Sequence, residues 1–277
     1  MDALLLQAMN GTLAAPASSG SNINVSFSNN MVCPIYFYLV VTNGSVNYQK
    51  YVSAMIGGVQ SFPVNVPSSC YVVVKTVTGA YVCVVTINNT ASVTIDCSSM
   101  STPNDIGPWP KPSTSVPLPA DSPKVLVACG QIGSTIITRE QNWRRSQESY
   151  SLPANSTRTI GVTSTLGVTS TSTDQSTVSQ TLGLGLNGSW EQISASFSQS
   201  LSQTTMKTQT TTLSSTQTKY EEIKLDNTAV GSKPMICLSW GLADSYNIYS
   251  GSLLPSATVT SIQSPRIVDV AFNPTSG

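Results

Sequence analysis

Three features of the chain predict an all-β fold: short β-branched and aromatic runs, turn residues between them, and no sustained helical periodicity. Upstream the runs are Asn24–Phe27, Ile35–Thr42, Gln49–Val52, Gln60–Val66, Tyr71–Thr76, Tyr81–Ile87 and Ser92–Ile95. Asn29-Asn30, Asn43-Gly44, Gly57-Gly58, Thr78-Gly79 and Asn88-Asn89 punctuate them. Short strands at that spacing predict an N-terminal β-sandwich over 23–100, a candidate receptor-binding domain.

Prolines crowd the stretch from Thr102 to Pro123, including Pro108-Trp109-Pro110-Lys111-Pro112 and Pro117-Leu118-Pro119. Proline lacks the ladder donor and forces its predecessor toward extended geometry, so 101–123 reads as a semi-rigid Pro-rich linker. The remainder, 124–277, is expected to form an elongated β domain. Its strands are expected at Lys124–Cys129, Ile136–Gln141, Ser146–Tyr150, Met235–Trp240, Tyr246–Tyr249, Ala257–Ile262 and Ile267–Phe272. Between them, Thr157–Thr218 is roughly half Ser and Thr and nearly free of charge, which predicts long amphipathic strands. Residues 1–22 read as a flexible N-terminal tail or removable pro-segment. Met1-Asp2-Ala3-Leu4-Leu5-Leu6 carries no Lys or Arg, and no signal peptide is evident, so a soluble protein, secreted or released, is expected.

Composition excludes several functions. Charged residues make up 9% with a net charge of zero, which leaves no basic surface for nucleic acid or anionic lipid. The chain has no histidine, and none of the usual histidine-dependent nucleophile, general-base or zinc systems can be built. Glu221-Glu222 adjoin and would point to opposite faces of a strand, so no enzyme and no cofactor is expected. Cys33, Cys70, Cys83, Cys97, Cys129 and Cys237 are not spaced as a metal ligand set; they allow up to three disulfides or buried thiols equally. Tyr36, Tyr38, Tyr48, Tyr51, Tyr71 and Tyr81 are candidates for sugar or receptor contact, or for core packing with only a hydroxyl exposed.

The candidate functional element is an insertion hairpin at about 176–203. In its first arm Val178, Gln180, Leu182, Leu184 and Leu186 share one parity, and Ser179, Thr181, Gly183 and Gly185 the other. In its second arm Ile193, Ala195, Phe197, Gln199 and Leu201 alternate with Ser194, Ser196, Ser198, Ser200 and Ser202. Period two predicts strands with different surroundings on their two faces, and each arm approaches the roughly 9–11 residues of a tilted transmembrane strand. The tip is expected at Asn187, Gly188, Ser189 and Trp190, where Asn-Gly favours a tight turn and the indole suits an interface. Any register that pairs even residues of the first arm with odd residues of the second keeps the apolar faces together.

Such a hairpin predicts a lipid face of Val178, Leu182, Leu184, Leu186, Ile193, Ala195, Phe197 and Leu201. It predicts a pore-lumen face of Ser179, Thr181, Ser194, Ser196, Ser198, Ser200 and Ser202. One hairpin leaves unpaired edges in hydrocarbon, which requires a homo-oligomeric ring in the target-cell membrane. Before assembly the apolar stripe must be hidden against the body of the second domain. The expected partners are membrane lipid and a glycan or protein receptor.

The run from Gln141-Asn142-Trp143 through Ser151-Leu152-Pro153-Ala154-Asn155-Ser156-Thr157 to Ser194-Ala195-Ser196-Phe197-Ser198 resembles the aerolysin-like β-pore-forming toxins, most of all their monalysin group. The resemblance spans roughly Lys124–Trp240 and implies a cytolytic or insecticidal protein whose second domain is an aerolysin-like β domain. Upstream, Val25-Ser26-Phe27-Ser28-Asn29 and Ile35-Tyr36-Phe37-Tyr38 resemble the von Hippel–Lindau β-domain in turn and aromatic spacing, which carries over no ligand site. The alternative is a non-enzymatic adhesive or structural all-β protein, lectin-like or fibre-like, that never enters a membrane. A fibre would spread its apolar residues evenly, whereas here they gather at 178–186 and 193–201.

Overall fold

A computed structural model of the chain describes residues 3–9, 11–14, 22–41, 47–53, 59–96, 100, 121–145, 150–166, 176–177, 180, 192–193, 195–197, 217–229, 234–262 and 267–269. The fold is all-β. Strands β1 (Asn22–Asn29), β4 (Val59–Pro67) and β7 (Ser92–Ile95) form a three-stranded sheet in the order β4-β1-β7. Strands β2 (Ile35–Val41), β3 (Asn47–Ser53), β5 (Ser69–Thr76) and β6 (Tyr81–Asn88) belong to a larger one, so each of the seven expected upstream runs is a strand.

The core between these layers follows from alternation. Along β7 Ser92 and Thr94 face solvent while Val93 and Ile95 are buried. Val25 and Phe27 of β1 join them in one cluster with Ile35, Phe37, Val72, Val74 and Val82. The turns also sit where turn residues stand, with Gly79 and Asn89 both at positive φ. Cys33 and Cys70 are buried free thiols, and burial pushes Cys70 up to about 11. Tyr81 is buried and Tyr36, Tyr38 and Tyr71 are half-buried, while the side chains of Tyr48 and Tyr51 lie outside the description.

The N-terminus differs from the flexible tail expected of it. Helix α1 (Ala3–Met9) buries Leu5 and Ala8, and Leu13 follows them, against Val73, Tyr81 and Val84 on the other face of the large sheet. The Tyr81 hydroxyl donates to the Ala8 carbonyl at 3.2 Å. Leu5 and Ala8 stand three residues apart, the spacing of neighbours on a helix face, and a single amphipathic turn is too short to show as periodicity in the sequence.

Across the linker the large sheet continues. Strand β8 (Val125–Ile132) runs parallel to β6, with Tyr81 opposite Val125 and the Tyr81 amide donating to the Lys124 carbonyl at 2.8 Å. Beyond it come β9 (Thr135–Arg145), β13 (Met235–Ser250) and β10 (Tyr150–Leu152), so that the order is β10-β13-β9-β8-β6-β5-β2-β3. Leu126 and Cys129 of β8 lie in the same core cluster as β1, β2 and β5. Strands β14 (Ala257–Ile262) and β15 (Ile267–Asp269) both pair with β13. The two runs expected at Met235–Trp240 and Tyr246–Tyr249 are thus one strand. The intervening Asp244, which reads in sequence as an interruption, is held inside the sheet by Arg139.

Strands β11 (Ser156–Leu166) and β12 (Gln217–Asn227) form a separate two-stranded antiparallel ribbon. Its register is unbroken from Ser156 opposite Asn227 to Leu166 opposite Gln217. Asn155, at positive φ, makes the turn from β10, and the Asn227 side chain donates to the carbonyls of Leu152 (3.4 Å) and Pro153 (3.0 Å) at the ribbon's base.

Candidate membrane-insertion segment

The ribbon β11–β12 brings the two ends of 167–216 together, and the candidate hairpin lies within that span. Of its predicted lipid face, Ile193, Ala195 and Phe197 are described; Val178, Leu182, Leu184, Leu186 and Leu201 lie outside the described residues. Of the predicted lumen face only Ser196 is described; Ser179, Thr181, Ser194, Ser198, Ser200 and Ser202 are not, nor are the tip residues Asn187, Gly188, Ser189 and Trp190.

Where it is described, the segment departs from the strand expected. Residues 192–193 and 195–197 are helical, as are 176–177 and 180. Ile193 and Phe197 are both fully buried and Ala195 is exposed. The physical reason is that Ile193 and Phe197 are four residues apart. That separation is even, which puts them on one face of a strand, and it is also one helical turn, which puts them on one face of a helix. Serine between them permits the helix, because the Ser196 hydroxyl donates to the Ile193 carbonyl at 2.8 Å. Ser196, expected to face water, is buried here.

Ile193 and Phe197 form a cluster with Ala128 of β8, Ile137 of β9 and Tyr246 of β13, flanked by Ile132 and Val259. Register aligns these sheet residues: Gly130 opposes Ile137, Ala128 opposes Arg139, and Arg139 opposes Tyr246. Gly130 is what lets the segment approach. A Cβ placed there would stand 2.2 Å from Ser196 Oγ and 2.9 Å from its backbone carbon, so no other residue fits without displacing the segment. Burying the two apolar side chains stabilises this docked arrangement by about 1.5–3 kcal/mol each.

A buried ion pair shares this part of the sheet. Arg139 Nε and Nη2 donate to Asp244 Oδ1 and Oδ2 at 3.1 and 2.9 Å, and Gln141 Nε2 reaches Asp244 Oδ1 at 2.7 Å. The Arg139 guanidinium lies 5.5 Å from the Tyr246 ring centre. Such a pair is costly to bury and costly to break, so it adds little net stability while loss of either partner would leave a buried charge unpaired. Next to it in sequence, buried Glu140 accepts from the hydroxyls of Thr76 (2.9 Å) and Thr78, and its second oxygen lies 3.9 Å from Lys124 Nζ. Burial first, then the Glu140 charge, raises Tyr249 above the ordinary tyrosine range. The sequence carried no signal for this layer, because Arg139-Glu140-Gln141 stand in a largely polar strand beside Thr138, Asn142, Arg144 and Arg145. Gly130 carried none either.

Among the described residues no helix is long and apolar enough to cross a membrane. No protein-family model matches the chain, and no curated protein does. Among solved structures, the crystal structure of Cry35Ab1 is similar at 11% identity and a TM-score of 0.39, over 82% of this chain. The chain spans 65% of the length of that one.

Proposed function

We infer that the chain is a β-pore-forming protein, non-enzymatic and cytolytic, which leaves solution to insert one hairpin per subunit into a target-cell membrane. The observation that carries this is the register of the β11–β12 ribbon. Were it continued pair by pair past Leu166 and Gln217, Val178 would stand opposite Thr205, Leu182 opposite Leu201, Leu186 opposite Phe197 and Trp190 opposite Ile193, with the turn at Glu191-Gln192 and not at the tip expected from Asn187 to Trp190. Every even residue of the first arm then meets an odd residue of the second, which is the parity that separates the apolar stripe from the serines. A ribbon set one residue out of step would mix the two faces. The arms 178–190 and 193–205 exceed the roughly 9–11 residues needed to span. The lipid-facing side holds Val178, Leu182, Leu184, Leu186, Ile193, Ala195, Phe197 and Leu201, with Gln180, Gln199 and Gln203 among them; the other holds Ser, Thr, Gly and Asn.

In this scheme the helical residues 192–193 and 195–197 belong to the stored form of the second arm. Insertion exchanges its contacts with Ala128, Ile137 and Tyr246 for lipid, and extends the ribbon. A ring of identical subunits closes the edges, and proteolysis or receptor-driven crowding is the trigger. The decisive experiment is dye release from liposomes, with and without trypsin. Wild type should release the dye, and Leu184→Asp should not while eluting as a folded monomer, because a charge facing lipid at mid-bilayer costs up to a few kcal/mol. Phe197→Asp is the poorer probe, since Phe197 is fully buried in the soluble form and the change would unfold its docking site. Equal release by Leu184→Asp overturns insertion, and no release under any condition favours an adhesive or structural protein.

A further inference from the structure

We propose that the turn joining β13 to β14 is a lipid-docking tip that seats the protein on uncharged, zwitterionic bilayers before any insertion. Leu253 and Leu254 are the exposed large apolar side chains among the described residues, Leu254 at 66% exposure. They stand at the apex of a turn, where two side chains can enter a headgroup layer together.

Three further observations say what these leucines meet. First, the surrounding strand ends are uncharged: neither 130–138 nor 245–262 contains Asp, Glu, Lys or Arg. The β8–β9 turn at Gly133 and Ser134 sits beside the tip, because Thr135 opposes Ser250. These two turns carry no ion to be dehydrated on entering an interface and no cation to seek anionic lipid.

Second, the turn pairs the amides of Leu254 and Ser256 within itself. The Ser256 amide and hydroxyl both donate to the Ile248 carbonyl at 2.7 and 3.0 Å, the Leu254 amide donates to Ser252 Oγ at 3.1 Å, and Gly251 takes the positive φ. Backbone donors already paired are what a segment needs to enter a medium without water. Third, the docking site of the stored segment lies nearby. Ile132 and Val259, which pack against its cluster with Ile193 and Phe197, sit next to these two turns in the chain. Lipid reached by this tip is therefore lipid brought to the insertion segment.

The proposal rests on the pore-forming reading only in taking the membrane as target, and binding can be measured apart from leakage. The test is flotation of the full chain with phosphatidylcholine vesicles, alone and with added phosphatidylserine, at low and high salt. Partition of wild type should be insensitive to both, and Leu253→Asn/Leu254→Asn should lower it by about tenfold or more with unchanged thermal unfolding. Leu254→Trp should keep it. Unchanged partition of the double variant overturns the tip, as does binding that needs anionic lipid. Failure of wild type to float on protein-free vesicles overturns it too, and assigns the leucines to a protein or glycan receptor. Flotation without leakage sustains the tip and counts against the pore; leakage with unaltered flotation of the double variant does the reverse.

Discussion

Gly130 sets the distance between the helical segment at Ser196 and the sheet. Its missing Cβ is occupied by Ser196, whose backbone carbon as well as its hydroxyl would have to move if a methyl group were added. Gly130→Ala should lower stability by about 1–3 kcal/mol, the usual cost of overpacking a closed contact, and should hasten dye release. Thermal unfolding checks the first effect and the leakage time course the second; an unchanged melting temperature would show that the contact is not closed in solution. Nothing in the sequence distinguished this glycine. A close approach between a strand and a segment more than sixty residues away has no local signature, whereas Gly79 was legible because its requirement, a positive φ in a turn, is local.

At the level of elements, composition and turn chemistry were the legible signal and chain length their limit. Strands β1 to β7 could be read because β-branched and aromatic runs stand between turn residues, and in β7 alternate residues are buried. Helix α1 was missed since one amphipathic turn has too few residues to establish a period. The stretch 192–197 was read as a strand because positions 193 and 197 satisfy both periods. Apolar packing on Ala128, Ile137 and Tyr246 decides for the helix. The ribbon's register makes the inserted form testable. In membrane-bound oligomers, a Leu184→Cys/Gln199→Cys pair should form a disulfide, detected by peptide mapping. A Leu184→Cys/Glu191→Cys pair, which a tight turn at Asn187-Gly188 would bring together, should not. The opposite result would replace the ribbon-derived register with the turn-derived one.

For the molecule as a whole, the proline-rich linker suggested two separable domains, yet strands from both sides of it lie in one sheet with a shared core. The pairing of Tyr81 with Val125, the Leu126 and Cys129 side chains among the upstream core residues, and the Thr76–Glu140 hydrogen bond all cross it. A parallel pairing between strands separated by a long connection leaves no trace in local sequence, which is why composition alone exaggerated the division. One cooperative thermal transition is the expected outcome, with calorimetric and van't Hoff enthalpies in agreement; two resolved transitions would mean that the halves fold independently.

The two-stranded ribbon has a consequence for how copies of this chain meet. Within the described residues β11 and β12 pair only with each other, so each strand keeps one outer margin of peptide groups unclaimed by a neighbouring strand. A margin of that kind is an invitation to stick, and soluble proteins discourage it with charge. On β12 the charges are dense: Lys219, Glu221, Glu222, Lys224 and Asp226 follow one another within its length. They run from Lys219, opposite Ser164 near the ribbon's far end, to Asp226, opposite Thr157 at its base, so a second copy pairing edge to edge along β12 would meet charge over most of the strand.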